Sequence, residues 1–113
     1  MRHSTGKPTA AQQARFTAIK LDVGCVVCRL QGVGYRPPDI HHLTSCGRRI
    51  GHDASIGLCL WHHRGIPDDG RTSRQMRELY GPSLTDGSKT FRDAYGDDEG
   101  LLEAANEMLG DRH

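Results

Sequence analysis

Every cysteine in this chain, and five of its seven histidines, fall between Cys25 and Arg64. Within that block, Cys25-x-x-Cys28 and Cys59-x-x-His62 each have the spacing that puts two ligands on one turn. Four such soft or borderline ligands suit a tetrahedral zinc ion with no open position, a structural site. Two disulfides are the other use for four cysteines, but the spacing and a reducing compartment favour metal. Cys46 is left over, either as a buried bystander thiol or as a replacement for one ligand.

A second set of ligand types is interleaved with the first: the doublet His41-His42, and His63 directly after His62. Adjacent strand residues face opposite ways, so one member of the doublet can bind metal while the other stays free as a base. His63 lies one helical position, about a hundred degrees, beyond His62 and can look away from the zinc. Two imidazoles, His41 and His63, would leave a divalent ion with positions open to phosphate oxygens and water. That describes a Lewis-acid site, not a closed structural one.

The composition explains why metal is needed. At 113 residues the chain is expected to form one domain, with only 35% hydrophobic residues, 5% aromatic residues and fourteen glycines. So thin an apolar core calls for a staple. There is no membrane-spanning run and no apolar leader at the N-terminus, so the expected location is a reducing cytoplasm. Formal charge is +1, unevenly spread. Residues 1–77 carry twelve Lys/Arg against five Asp/Glu, and residues 78–113 carry three against nine. The basic part holds the Cys/His block, so a polyanion is the natural partner, and the acidic tail is expected on the far side. Arg48, Arg49, Arg64, Arg71 and Arg74 are candidate phosphate contacts, with Arg15 and Lys20 as further possibilities.

These residues need elements to position them. Residues 1–8 read as a flexible basic arm. A helix capped by Thr9 follows, with Phe16, Ile19 and Leu21 on its apolar stripe and Gly24 at its end. Asp39 to Leu43 reads as a strand with Ile40 and His42 on one face and His41 and Leu43 on the other. A second strand is expected at 54–58 and a short helix from Cys59 to Arg64, stopped by Gly65 and Pro67. Ser73 would cap a helix through Leu79, Phe91 to Tyr95 would form a helical turn, and Asp97 would cap a last helix over 98–109.

The runs Ile40-His41-His42-Leu43 and Leu58-Cys59-Leu60-Trp61-His62-His63 resemble the HNH, or ββα-metal, nucleases. Beyond the motif, DIHHL, GRRIGHD, LCLWHHRG, GPSLTDGSKTF and AYGDDEGLLE resemble the phage recombination-enhancement, RecA-dependent nucleases, over about residues 20–103. The resemblance implies an α+β fold: a small zinc-stapled ββα-metal core at 24–66, flanking helices, and a C-terminal helical part at 73–110, all in one domain over 9–113. It implies His42 as general base and His41 and His63 as ligands of a catalytic Mg²⁺ or Mn²⁺. It also implies structural Zn²⁺ on Cys25, Cys28, Cys59 and His62. The asparagine usual in the middle of the motif is missing, and His52 and Asp53 occupy its region as candidate substitutes. The implied activity is metal-dependent DNA hydrolysis, nicking one strand, directed to DNA paired by a RecA-type filament. The alternatives are a non-catalytic zinc module that binds nucleic acid, and an interaction protein whose acidic tail docks a partner.

Overall fold

A computed structural model describes residues 7–45, 48–49 and 54–110, with the backbone alone for 44–45 and 48–49. Cys46, His52 and Asp53 lie outside the described residues, as does the expected arm apart from Lys7 and Pro8. Among the described residues no helix is long and apolar enough to cross a membrane.

Helix α1 (Ala10–Ala18) starts where Thr9 and Gln12 cap each other reciprocally, Gln12 N–H donating to Thr9 Oγ1 at 3.2 Å and Thr9 N–H to Gln12 Oε1 at 2.9 Å. The helix then widens into a π turn, Ile19–Val23, closed by Gly24 N–H donating to Ile19 O at 2.8 Å. The extra residue per turn shifts the register, so Ile19 and Val23 are buried while Leu21 is 71% exposed. The apolar stripe therefore does not include Leu21, contrary to its α-helical spacing.

A short helix α2 (Val26–Leu30) carries the first ligand pair. Strand β1 (Pro38–His42) pairs antiparallel with β4 (Ser55–Cys59), placing His41 opposite Ile56 and His42 opposite Ser55. Nearer the tip, β2 (Thr44–Ser45) pairs antiparallel with β3 (Arg48–Arg49). The alternation on β1 is as expected: Ile40 packs beside Ile19, Val23 and Leu109, while Leu43 is buried in the larger core.

Helix α3 (Leu60–Arg64) follows β4 directly and stops at Gly65, which is left-handed at φ 69°. Helix α4 (Ser73–Tyr80) is capped by Thr72 and not by Ser73, because only Thr72 has a glutamine three residues on to complete the reciprocal pair. After a 3-10 turn, Leu84–Asp86, come α5 (Ser88–Tyr95) and α6 (Asp98–Leu109), the latter capped by Asp97 as expected. Helix α5 begins three residues earlier than its aromatic residues suggest. The architecture is a small α+β fold, a two-stranded antiparallel hairpin with helices around it.

Two interior features fix the hairpin. A β-carbon on Gly57 would collide with the Gly24 carbonyl and come within 2.8 Å of Ile19 Cγ2, so only glycine lets the π turn lie on β4. Arg15 is buried: its Nε reaches Ser55 Oγ at 3.2 Å, one terminal nitrogen reaches Ser55 O at 2.7 Å, and the other Asn106 Oδ1 at 2.8 Å. This arginine is no surface phosphate contact; it ties α1, β4 and α6 together. Helix α6 also buries Leu101, Ala105 and Leu109 within the structure. The acidic part is therefore packed against the hairpin and not set apart on a remote face.

Replacing Arg15 with methionine keeps much of its bulk but leaves the Ser55 carbonyl and the Asn106 amide without their donor. Loss of these charge-assisted bonds should cost about 2–4 kcal/mol. Equilibrium urea unfolding of the two proteins measures the difference, and lysine at this position should rescue little because it lacks the planar fork.

Candidate functional site

Each ligand pair opens a short helix. Cys25 is the N-cap of α2 and Cys59 the N-cap of α3, and each sulfur accepts a backbone N–H from three residues on, Cys28 and His62, at 3.5 Å. Cysteine sulfur thus stands where a serine or aspartate oxygen normally caps, and the positive helix ends favour thiolate. The hairpin and α2 bring the two pairs together, and all four ligand atoms lie within 4.8 Å of one another. His62 Nδ1 is 3.5 Å from Cys25 Sγ and Cys28 Sγ and 3.3 Å from Cys59 Sγ, and the Cys28 and Cys59 sulfurs are 3.9 Å apart. A tetrahedral ion with metal–sulfur bonds of about 2.3 Å requires edges of this length. The donor set fits a closed metal centre.

Charge makes the same case. Hydrogen bonding with Cys25 and Cys59, then burial, drives the Cys28 thiol far up, while bonds from Cys25 and Cys28 drive Cys59 far down. Burial opposes charge on His62, yet its contacts with the Cys25 and Cys59 sulfurs push it up to about 10. Three buried sulfurs this close cannot all be thiolates without a cation among them. His62 is held from behind, its Nε2 lying 3.0 Å from Tyr80 O, so Nδ1 is the nitrogen left for metal. Tyr95 Oη also reaches Tyr80 O, at 2.9 Å, and Pro82 O at 2.7 Å, while Trp61 Nε1–H donates to Gly81 O at 2.9 Å. The Tyr80-Gly81-Pro82 carbonyls therefore brace α3 and the metal ligand on it.

On the other side of α3 lies the second group. The His41 and His63 rings meet edge to face with centroids 5.1 Å apart. His63 Nδ1 is 2.8 Å from Asp39 Oδ2, and Arg64 Nε lies 2.9 Å from the same oxygen. Asp39 was not among the residues singled out from the sequence. Its signal was available, since it shares a strand face with His41, two positions away. Burial lowers the pKa of His41, the neighbouring His63 lowers it further, and Asp98 partly offsets both. His41 is therefore held neutral, as a ligand or base must be. Protonating it costs fold stability, so its contribution is complete above the ordinary value of 6.5 and is lost as the pH falls through the depressed one.

His42 faces the other side of β1, its ring 5.9 Å from that of Phe16 in an edge contact. His41 and His42 nevertheless both line one cavity of about 400 Å³ at the strand end. Of the candidate phosphate contacts, Arg64 lies at this site through Asp39. Arg71 is drawn to Asp68 and Tyr80, and Arg74 is an exposed partner of Glu78 on α4. Arg48 and Arg49 form β3, and their side chains lie outside the description. Among the described residues, the set of Cys25, Cys28, Cys59 and His62 is the one place where three or more ligand atoms converge.

Residues 8–110 match the protein family described as recombination enhancement, RecA-dependent nuclease. The chain belongs to this family. Membership supports a nuclease role, and no curated protein matches the chain significantly. The metal centre itself can be tested directly. Purified protein should carry one tightly held ion per chain by elemental analysis, and Cys28→Ser should lose both the ion and the thermal unfolding transition. Intact folding of a metal-free Cys28→Ser variant would remove the centre's structural role.

Proposed function

We propose that the protein is an HNH-type, metal-dependent DNA endonuclease that nicks one strand, acting on DNA paired by a RecA filament. The observation that supports this best is the His41–His63 pair, carried by a hairpin and the helix that follows it, beside a cavity that His42 also lines. Family membership supports the DNA substrate and the RecA association. In this reading the first centre is a structural zinc site that holds α2 and the hairpin–helix unit together.

His41 and His63 would hold the catalytic ion; Asp39 engages Nδ1 of His63 and so leaves Nε2 for it. Two imidazoles suit Mn²⁺ better than Mg²⁺, unless an oxygen ligand joins them. When bound, the ion supplies Lewis-acid charge to the scissile phosphate and the departing oxygen. His42 acts as general base, taking a proton from the attacking water, and its contact with Phe16 limits how far the ring can turn. Asp39 is a positioning residue, fixing the tautomer of His63, and Arg64 beside it is placed to meet phosphate. His52 and Asp53 remain the candidates for the role of the missing asparagine, and Arg48, Arg49, Arg71 and Arg74 for further phosphate contacts. One base and one ion suit a single-strand nick.

The competing reading, a non-catalytic zinc module that binds nucleic acid, is favoured by one observation: among the described residues only two protein ligands gather at the second site. A cleavage assay separates the two. Supercoiled plasmid and a displacement loop, with and without RecA filament, are incubated with protein and Mg²⁺ or Mn²⁺. Nicking should appear, stop with EDTA, and fall by about 10²–10⁴ for His42→Ala. Asp39→Asn should lower it by about 10–100-fold, mainly through weaker metal affinity. Binding without any nicking, under either metal, would support the module.

A further inference from the structure

The cavity beside His41 and His42 is completed by residues outside the hairpin. Ser88, Phe91 and Arg92 line it from α5, and Asp98 and Leu101 from α6. On α5 these positions are three and four apart, so one helix face is turned to the cavity. That face is firmly anchored. Phe91 is buried and packs on Tyr95 at 4.8 Å between ring centroids, and Tyr95 packs on the ligand His62 at 5.4 Å while its hydroxyl bonds the Tyr80 and Pro82 carbonyls.

Arg92 stands apart electrostatically. Every other arginine whose side chain is described reaches an acceptor: Arg15 and Arg29 reach backbone carbonyls, and Arg64, Arg71 and Arg77 reach carboxylates, for example. Arg92 has no such partner among the described residues, although Asp93 is its neighbour, because Lys89 takes Asp93 at 2.8 Å one helical turn back. The Arg92 guanidinium is exposed to solvent at the cavity wall and engages no carboxylate of the described residues, so it is available to an anion that enters the cavity. Asp98 lies in the same cavity and interacts electrostatically with His41. The cavity thus has a cation-seeking group near His41 and an anion-seeking group on α5, as a phosphodiester with an accompanying cation requires.

We propose that Arg92, with the Ser88 hydroxyl one turn before it, forms a phosphate subsite that grips a backbone phosphate next to the one being cut. This rests on the nuclease reading and adds to it a contact from the C-terminal helices. It gives these helices a share in placing the DNA strand, so that the hairpin and α3 do not act alone.

Two measurements on the full chain test the subsite. In a His42→Ala background, which leaves DNA intact, binding of a labelled oligonucleotide is followed across a potassium chloride series. Arg92→Gln should reduce the slope of log affinity against log salt by about one, and Arg92→Lys should preserve it. With His42 present, Arg92→Gln should raise KM for cleavage about tenfold while changing kcat little, and Arg92→Lys should recover most of the loss. An unchanged salt slope in Arg92→Gln overturns the subsite, whatever happens to cleavage. If wild type never cuts DNA, the nuclease reading fails, while the salt slope still decides whether Arg92 grips phosphate. Circular dichroism melting of each variant identifies any that has simply failed to fold.

Discussion

Three sulfurs and an imidazole share one small buried space, and the rest of the molecule is arranged around that crowding. The three sulfurs would repel one another as thiolates, and with all four donor atoms buried within 4.8 Å of one another little water is left to screen that charge. Only a cation at their centre lets all of them adopt the form that binds it. Because two of the donors come from residues 25–28 and two from 59–62, an ion held there would also join segments far apart in sequence. A chain with 35% hydrophobic residues could not close that gap by burial alone. The Tyr80-Gly81-Pro82 segment matters for the same reason. Its backbone carbonyls are turned toward His62, Trp61 and Tyr95, so the end of α4 and the start of the linker to α5 form the outer support of the candidate metal ligands.

This arrangement makes α3 a shared wall. His62 looks into the metal centre and His63, one step further round, looks toward β1. The two sites are therefore mechanically coupled through five residues of helix, Leu60–Arg64. Helix α3 is too short to be stable alone; it persists because Cys59 caps one end, Gly65 closes the other, and His62 and Trp61 are fastened inside. Any loosening of the first site would let His63 drift relative to His41 and Asp39. In the catalytic role proposed for His41 and His63, displacements of about 1 Å would cost about two orders of magnitude in rate.

Local patterns in the sequence disclosed those parts of the structure that depend on local rules. The C-x-x-C and C-x-x-H spacings gave the ligand set, two-residue alternation gave the opposed faces of β1, and capping chemistry gave the start of α1 and α6. What the sequence concealed depended on partners far along the chain. Arg15 looks like any arginine on a polar helix until Ser55 and Asn106 are brought to it, forty and ninety-one residues away. Leu21 sits at a good helical spacing, but a π turn rotated it out to solvent. Asp39 was within reach, since alternation puts it on the face of His41. Its pairing with His63 was hidden because α3 had to be docked on β1 before the two could meet.

Charge summed along a segment was the least reliable guide. The last 36 residues are strongly acidic, which suggested a face turned away from a polyanion, yet α5 and α6 form a wall of the cavity that holds His41 and His42. Part of the excess is offset locally: Asp86 is taken by Arg77, Asp93 by Lys89, and Asp97 caps α6, while Glu99, Glu103 and Glu107 share another surface of α6. Within a Debye length of about 8 Å at physiological salt, a phosphate feels the few charges nearest to it and little of a segment total. Among the described residues lining this cavity those charges are the Arg92 guanidinium and the Asp98 carboxylate, the first assigned to phosphate and the second to an accompanying cation in the reading proposed above. In that reading, an acidic segment contributes to an anion-binding surface because one basic side chain faces the cavity while most of the segment's carboxylates lie away from it.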